Sequence, residues 1–240
     1  MNVRSKCQMC AVRMSALCSA ASEKAAGDLA RAFHRRRVPA GQIVYGGSQR
    51  SQTYSIIVSG VVKLVHAKHD GRNQIVGLQF PSQFVGRPYS ESSPLMAEAA
   101  TDLEVCSFSG RVFEGLLAEH PEIERALLQR TLEDLDNARE WMFMIGRKTA
   151  EERVASLLLM IAKNMTDPMD NNDNAPPEEC EFDLPLSRTE MAECLGLRLE
   201  TVSRQFAHLR TQGIISTGRR RALRVSAVSE LRRLCEAGVE

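Results

Sequence analysis

Between Glu122 and Gly146 the positions Ile123, Leu127, Thr131, Leu135, Ala138, Met142 and Ile145 follow one another in steps of 4, 4, 4, 3, 4 and 3 residues. That spacing lies near the 3.5-residue period of a coiled coil and predicts a long helix with one continuous face. A second series, Leu128, Leu132 and Trp141, falls on a neighbouring face. A helix of roughly 24 residues is about twice the globular average. One face can pack on its own domain, and the other suits a second copy of the chain, with Leu135, Ala138, Met142 and Ile145 as the expected homodimer seam. The same helix carries Glu133, Asp134, Asp136 and Glu140. Like charges brought together in a dimer oppose association, so pairing is expected to be marginal.

The helix divides the chain into unlike halves. Residues 40–110 read as short strands between turn signals: Tyr54–Gly60, Val61–His66, Gln74–Phe80, Phe84–Gly86 and Leu103–Phe108, with Asp70-Gly71 suited to a tight hairpin. A spacing of about ten residues per element is that of a small antiparallel barrel or roll. After the helix, Thr149 and Glu152 match a capping box opening a helix to about Asn164, and residues 165–180 form an Asp-, Asn- and Pro-rich loop. Ser187-Arg-Thr-Glu190 opens a short helix that Gly196 ends. A longer one follows from Leu199 to Thr211, then a hairpin of Ile214–Ser216 and Leu223–Val225. Short helix, Gly turn, longer helix and hairpin make a winged helix-turn-helix. The fold class is therefore α+β: an N-terminal antiparallel, jelly-roll-like β-roll, a long dimerisation helix and a C-terminal winged helix-turn-helix. The expected divisions are 1–20, 21–120, 121–147 and 148–240.

A net charge of +1 conceals a segregation. Residues 1–40 hold eight Lys/Arg against two acids, residues 41–186 thirteen against twenty-two, and residues 187–240 ten (all Arg) against six. Near-neutrality is thus no argument against nucleic acid, because basic charge sits at both ends of an acidic middle. No stretch approaches the roughly 18–20 apolar residues of a membrane span. Arg4, Lys6 and Arg13 have no apolar run behind them, so no secretory signal is expected and the cytoplasm is the expected location. No nucleophile–base set supports an enzyme.

In the second helix of the motif Glu200, Ser203 and Arg204 stand at i, i+3 and i+4 and share a face in its first two turns. Arg can bond O6 and N7 of guanine together, Glu accepts from N4 of cytosine, and Ser serves either kind of base. A carboxylate turned to DNA makes sense only as a base reader, since phosphates would repel it. The plain alternative is a Glu200–Arg204 surface ion pair worth a few tenths of a kcal/mol. Thr201, Gln205, His208, Arg210 and the Arg219–Arg221 wing are candidate backbone contacts.

The seven cysteines are Cys7, Cys10, Cys18, Cys106, Cys180, Cys194 and Cys235. An odd count argues against a disulfide framework. Cys7-x2-Cys10-x7-Cys18 puts three thiols in one short segment that could wrap one bound group. An iron–sulfur cluster, a zinc site and a redox disulfide switch can each use thiols so grouped. Arg4, Lys6 and Arg13 are expected to favour the thiolate forms. Cys180, Cys194 and Cys235 read as buried structural thiols. His66, His69 and His120 fall in or beside loops and strand ends, without ligand spacing to a partner.

Leu199-Glu-Thr-Val-Ser-Arg204, preceded by Met191-Ala-Glu-Cys-Leu-Gly-Leu197, resembles the DNA-binding helices of the cyclic-AMP-receptor/FNR regulator family. Thr149–Ala155 resembles its interdomain helix, and Val58-Ser-Gly60 with Gly77 its β-roll. The resemblance covers nearly the whole chain. It implies a homodimer on a palindromic site in double-stranded DNA, with Glu200, Ser203 and Arg204 reading TTGA-type half-sites of TTGAT-N4-ATCAA, and contact with RNA polymerase near Asp70-Gly71. Arg198 departs from the Thr often found there as helix N-cap, a loss on the order of 1 kcal/mol. The Arg-Ser/Thr pair that holds a cyclic nucleotide's phosphate in this family is missing from Leu95–Ala100, so no cyclic nucleotide is expected. The cysteine spacing resembles FnrL/FnrN-type members and implies an oxygen-labile [4Fe–4S] cluster on Cys7, Cys10, Cys18 and Cys106.

Overall fold

The computed structural model describes residues 7, 9–46, 53–67, 73–90, 93–166 and 176–236. The expected Asp70-Gly71 turn and the side chains of Arg4 and Lys6 lie outside those residues. The chain forms two compact units, Met1–Asn137 and Ala138–Glu240.

In the first unit, β-branched and aromatic residues build two four-stranded antiparallel sheets. One has β1 (His34–Val38), β8 (Leu103–Ser109), β3 (Thr53–Ser59) and β6 (Phe84–Val85) in the order β1-β8-β3-β6. The other has β2 (Ile43–Tyr45), β7 (Met96–Ala99), β4 (Val62–Ala67) and β5 (Asn73–Gln79) in the order β2-β7-β4-β5. Side chains alternate across each strand. Val38, Ile57, Val85, Leu103 and Val105 from the first sheet meet Val44, Val62, Ala97 and Ala99 from the second in one buried core. Gly60 turns the chain between β3 and β4 at φ +88°, where a Cβ would lie 2.4 Å from the Asp102 carbonyl oxygen.

The opposite face of the first sheet presents Tyr54, Ile56, Val58 and Phe108 to a second core. There they meet Ala25 and Leu29 of α1 (Glu23–Ala32), Phe113, Leu116 and Leu117 of α2 (Gly110–Glu119), Ile123 of α3 (Pro121–Arg147), and Val12, Ala16 and Leu17 of the N-terminal segment. Burying side chains of this size contributes about 1.5–3 kcal/mol each. This second core fastens the cysteine-bearing segment to the roll.

The roll is larger than the sequence suggests. β1 lies before residue 40, where Arg35, Arg36 and Arg37 mask the apolar alternation. β7, with the sequence Met-Ala-Glu-Ala, lacks strand-favouring residues and is held by its pairing with β2 and β4. α1 is also absent from the sequence reading. The long helix runs 27 residues and begins at Pro121. Proline is tolerated at the first helical position, so it starts this helix rather than merely interrupting the one before.

In the second unit α4 (Ala150–Thr166) opens on the expected capping box: the Thr149 backbone N–H donates to Glu152 Oε2 at 2.6 Å, and Glu152 N–H to Thr149 Oγ1 at 3.4 Å. α5 (Arg188–Leu195) has a complete Ser187–Glu190 box and closes on Gly196 at φ +61°. α6 (Leu199–Thr211) follows. The wing has three strands rather than the expected two: β10 (Ile215–Thr217), β11 (Ala222–Val225) and β9 (Cys180–Asp183), in the order β10-β11-β9. α7 (Val228–Glu236), which the sequence reading missed, ends the unit. Cys180, Cys194 and Cys235 are all buried, as expected of structural thiols.

Candidate functional sites: a four-cysteine cavity and a recognition helix

Cys7, Cys10, Cys18 and Cys106 line one cavity of about 400 Å³. Short backbone turns shape the segment that carries the first three: Cys10 N–H donates to the Cys7 carbonyl at 3.3 Å, Arg13 N–H to Cys10 at 3.1 Å and Ala16 N–H to Val12 at 2.8 Å. Val12, Ala16 and Leu17 are buried and pin those turns to the roll. Cys106 lies on the helix-facing side of β8, in register with Arg35 on β1 and Ile56 on β3. Phe33, Leu29, Ile56 and Phe108 supply apolar wall. All four thiols are free and half-buried.

Burial pushes Cys106 up to about 12 and Cys18 up to about 11, and neighbouring cysteines add to both shifts. Cys7 is raised by the same causes. Arg13 pulls Cys7 and Cys18 downward and Arg35 pulls Cys7 and Cys106, but burial outweighs them. Arg13 thus acts in the expected direction, but burial decides the net shift of these three. They are protonated at neutral pH, and any metal bound there would have to displace the protons.

The donor set can be tested against what it would hold. Sulfurs around one tetrahedral zinc stand about 3.8 Å apart, given a Zn–S bond of about 2.3 Å. Among the described residues no three thiol sulfurs gather within 4.8 Å of one another; the group that does is Asp28, Glu119 and His120. Four thiols around a shared cavity are the donor set that a four-iron group would need. Arg35 gives Nη1 to Glu104 at 2.7 Å and leaves Nε buried without a hydrogen-bond partner, opposite Cys106. That donor would find acceptors in a sulfur-rich group.

His120 lies at the break between α2 and α3, as expected of a residue beside a loop, but it is buried and has partners. It is 4% exposed, and its Nε2 lies 3.0 Å from Asp28 Oδ2, with Nδ1 3.9 Å from Glu122 Oε1. Asp28 also pairs with Arg31. The group ties α1 to the junction of α2 and α3. The 92-residue separation of His120 from Asp28 left no local signal.

In the second unit α6 buries Val202, Phe206 and Leu209, and its opposite side exposes Glu200, Ser203 and Arg204 on one face. Among the described residues Glu200 and Arg204 form no ion pair with each other, so the plain surface-pair reading is not realised. Arg198 occupies the N-cap without a side-chain hydrogen bond, as its side chain dictates. Arg188 stacks its guanidinium 3.3 Å above the Phe206 ring and so braces α5 on α6. Burial first, and Arg210 second, push Arg188 down to about 10. Only the pairing of two elements reveals this brace. His208 Nε2 lies 3.4 Å from Glu151 and 3.0 Å from the Gln212 amide. Arg221 gives Nη1 to the Pro185 carbonyl at 3.3 Å, while Arg219 and Arg220 remain exposed.

On α3, Leu135 is 45% and Met142 66% exposed, with Ala138 also exposed and Ile145 half-buried. Leu128, Leu132 and Phe143 are exposed too. No helix among the described residues is long and apolar enough to cross a membrane.

A β-roll with a cavity between its outer sheet face and the N-terminal segment, a long helix with uncovered apolar residues and a winged helix-turn-helix with an exposed Glu/Ser/Arg face define a DNA-binding regulator. Residues 35–120 match the cyclic nucleotide-binding domain model and residues 152–234 the Crp-like helix-turn-helix domain model. A Rhizobium leguminosarum bv. viciae protein described as "Probable transcriptional activator" is 44% identical over 96% of this chain and 93% of its own length. The transcriptional activator protein FnrL of Cereibacter sphaeroides is 39% identical over 97% and 92%. The structure of FixK2 from Bradyrhizobium japonicum superposes with a TM-score of 0.73 at 29% identity, covering 84% of this chain and 96% of that one. The chain belongs to the Crp/FNR family of transcription regulators and is a DNA-binding member of the FNR/FixK type.

Proposed function

We propose that this regulator is an oxygen-responsive transcriptional activator whose signal is a [4Fe–4S] cluster held by Cys7, Cys10, Cys18 and Cys106. The observation that carries the reading is the gathering of these four thiols around one cavity from two distant parts of the chain. A cluster bound there would supply an oxidisable group whose loss frees the four thiols. The protein's own part is to give up the thiol protons, to balance negative charge with Arg13 and Arg35, and to keep water from the apolar wall. With the segment ordered, Val12, Ala16 and Leu17 pack beside Ile123 and Leu127 of α3.

Two copies then pair along Leu135, Ala138, Met142 and Ile145. Each presents Glu200, Ser203 and Arg204 to one half of a TTGAT-N4-ATCAA-like palindrome in double-stranded DNA, in the cytoplasm and within reach of RNA polymerase. The similarity to an activator named FnrL supports this reading. A cyclic nucleotide is left out of it because Leu95–Ala100 lacks the Arg-Ser/Thr pair that would hold its phosphate.

Anaerobic and aerobic preparations compared for iron, sulfide, visible absorption and sedimentation test the proposal. About four irons and four sulfides per chain are expected without oxygen, falling together with the dimer on exposure to air. The Cys106→Ser variant should fall to background iron. A colourless, zinc-replete anaerobic protein would refute the cluster and favour the zinc or thiol switch.

A further inference from the structure

Ser15 stands between Cys10 and Cys18, and its carbonyl oxygen accepts a hydrogen bond from Arg130 Nη2, 115 residues further along the chain on α3. The same guanidinium donates through Nη1 to Glu133 Oε2 at 3.0 Å, one turn along the helix. Arg130 is therefore shared between the backbone of the cysteine segment and a carboxylate of the helix that carries the expected dimer seam. The planar, forked guanidinium serves both acceptors in one fixed geometry, whereas a lysine ammonium has rotatable donors and no fork.

The surroundings give this contact leverage. Glu133 and Asp134 sit beside the exposed Leu128, Leu132 and Leu135. Burial first, and Glu133 second, push Asp134 up to about 6, while Arg130 pulls it down. Its side chain is nevertheless exposed, and solvent screening trims such an effect. In a two-fold dimer every contact across the seam occurs twice, so an unbalanced carboxylate beside it acts twice. An exposed i,i+3 ion pair is weak when its cation is free to wander. Held from the other side by the Ser15 carbonyl, the Arg130 guanidinium stays over Glu133.

We propose that Arg130 is the positioning residue linking the cysteine cavity to pairing of α3: an ordered cysteine segment holds it over Glu133 and lowers repulsion between two helices, and a released segment does not. The inference rests on the cluster reading for what orders the segment. It needs no contact between the cavity and the seam themselves, only one side chain whose position both depend on.

The test uses the full-length protein, prepared without oxygen and assayed for iron and sulfide. Sedimentation then measures its dimer dissociation constant beside those of Arg130→Ala, Arg130→Lys and Arg130→Ala/Glu133→Gln. Arg130→Ala should keep the parent's iron and sulfide while its dimer constant rises about tenfold, equivalent to about 1.4 kcal/mol. Arg130→Lys should recover part of that rise. Glu133→Gln in the alanine background should recover most of it, which a merely structural role would not produce. An unchanged dimer constant in Arg130→Ala would overturn the inference. So would a loss of iron and dimer together that Glu133→Gln leaves unrepaired. A parent without iron or sulfide would sink the cluster reading instead, and the four dimer constants would still decide the role of Arg130.

Discussion

The four-cysteine cavity and the recognition helix are assembled in opposite ways. Glu200, Ser203 and Arg204 lie within five consecutive residues, and the 3.6-residue period alone puts them on one face. The cavity needs Cys106, which follows Cys18 by 88 residues, to be brought under a loop by the pairing of β8 with β1 and β3. A face of a helix persists whenever the helix does. A cavity walled by a loop on one side exists only while the loop stays down, and that suits a part whose state must change. The contrast extends to burial: Glu200, Ser203 and Arg204 are exposed, whereas burial raises Cys7, Cys18 and Cys106 and favours their neutral forms.

Alkaline pH should break the comparison on the cavity side, with the largest effect. An ordinary cysteine titrates near 9.0, but Cys18 is pushed up to about 11 and Cys106 to about 12. The folded, metal-free chain therefore keeps protons that the unfolded chain has lost, so the stability they contribute is complete below pH 9 and drains away as pH rises towards 12. Thermal unfolding of reduced, metal-free protein should show a steep loss across that window. Tyr54 also titrates above its usual range, through burial and Glu114, so the control is a Cys18→Ala/Cys106→Ala variant. Its alkaline loss should be clearly shallower than the parent's. Equal slopes would show that the cavity thiols are not what titrates.

Arg204→Ala addresses the other side of the comparison. Removing a guanidinium that bonds a guanine edge should cost about 1–3 kcal/mol of discrimination at that base pair. Binding to unrelated DNA, which rests on phosphate contacts, should change little. Competition assays with operator and single-base variants measure both. An unchanged preference at the guanine would remove Arg204 from the readout.

The same contrast explains what was legible in the sequence. α3, α5, α6 and both capping boxes were readable because periodicity and caps act within a few residues. The Glu/Ser/Arg face followed with them. The grouping of Cys106 with the other three cysteines entered through family resemblance, since spacing alone cannot say which strand will lie under the loop. β1, β7 and α1 escaped because their own residues argue weakly for any element: Arg35, Arg36 and Arg37 obscure one, alanines the other two. Two long-range ties, Arg130 to Ser15 in the cysteine segment and His120 to Asp28 on α1, join residues 115 and 92 apart and leave no trace in local pattern. The net shift of the thiols was out of reach for a related reason: nearby basic residues are visible in a sequence, but the burial that outweighs them is not.

The smallest effect concerns two neighbouring helices of one motif. Ser187 caps α5 with both bonds of the box formed, whereas Arg198 caps α6 with none from its side chain. The Arg198 backbone carbonyl does accept from Thr201 N–H at 3.0 Å and Val202 N–H at 3.1 Å, so the helix start is sound, but the N–H groups of its first turn gain nothing from the side chain. Arg198→Thr supplies a hydroxyl acceptor and removes a cation from the positive end of the helix dipole. The gain should be about 1 kcal/mol, read as a rise in Tm of about 2–4 °C for a chain of this size. Arg198 is exposed at the end of α6 that carries Glu200, Ser203 and Arg204. If it also meets a phosphate, the variant should bind all DNA sequences more weakly, with a salt slope reduced by about one. A higher Tm with unchanged DNA binding would make Arg198 a missing cap and nothing more; a higher Tm with uniformly weaker binding would mean that α6 gives up its cap to hold the backbone beside its reading face.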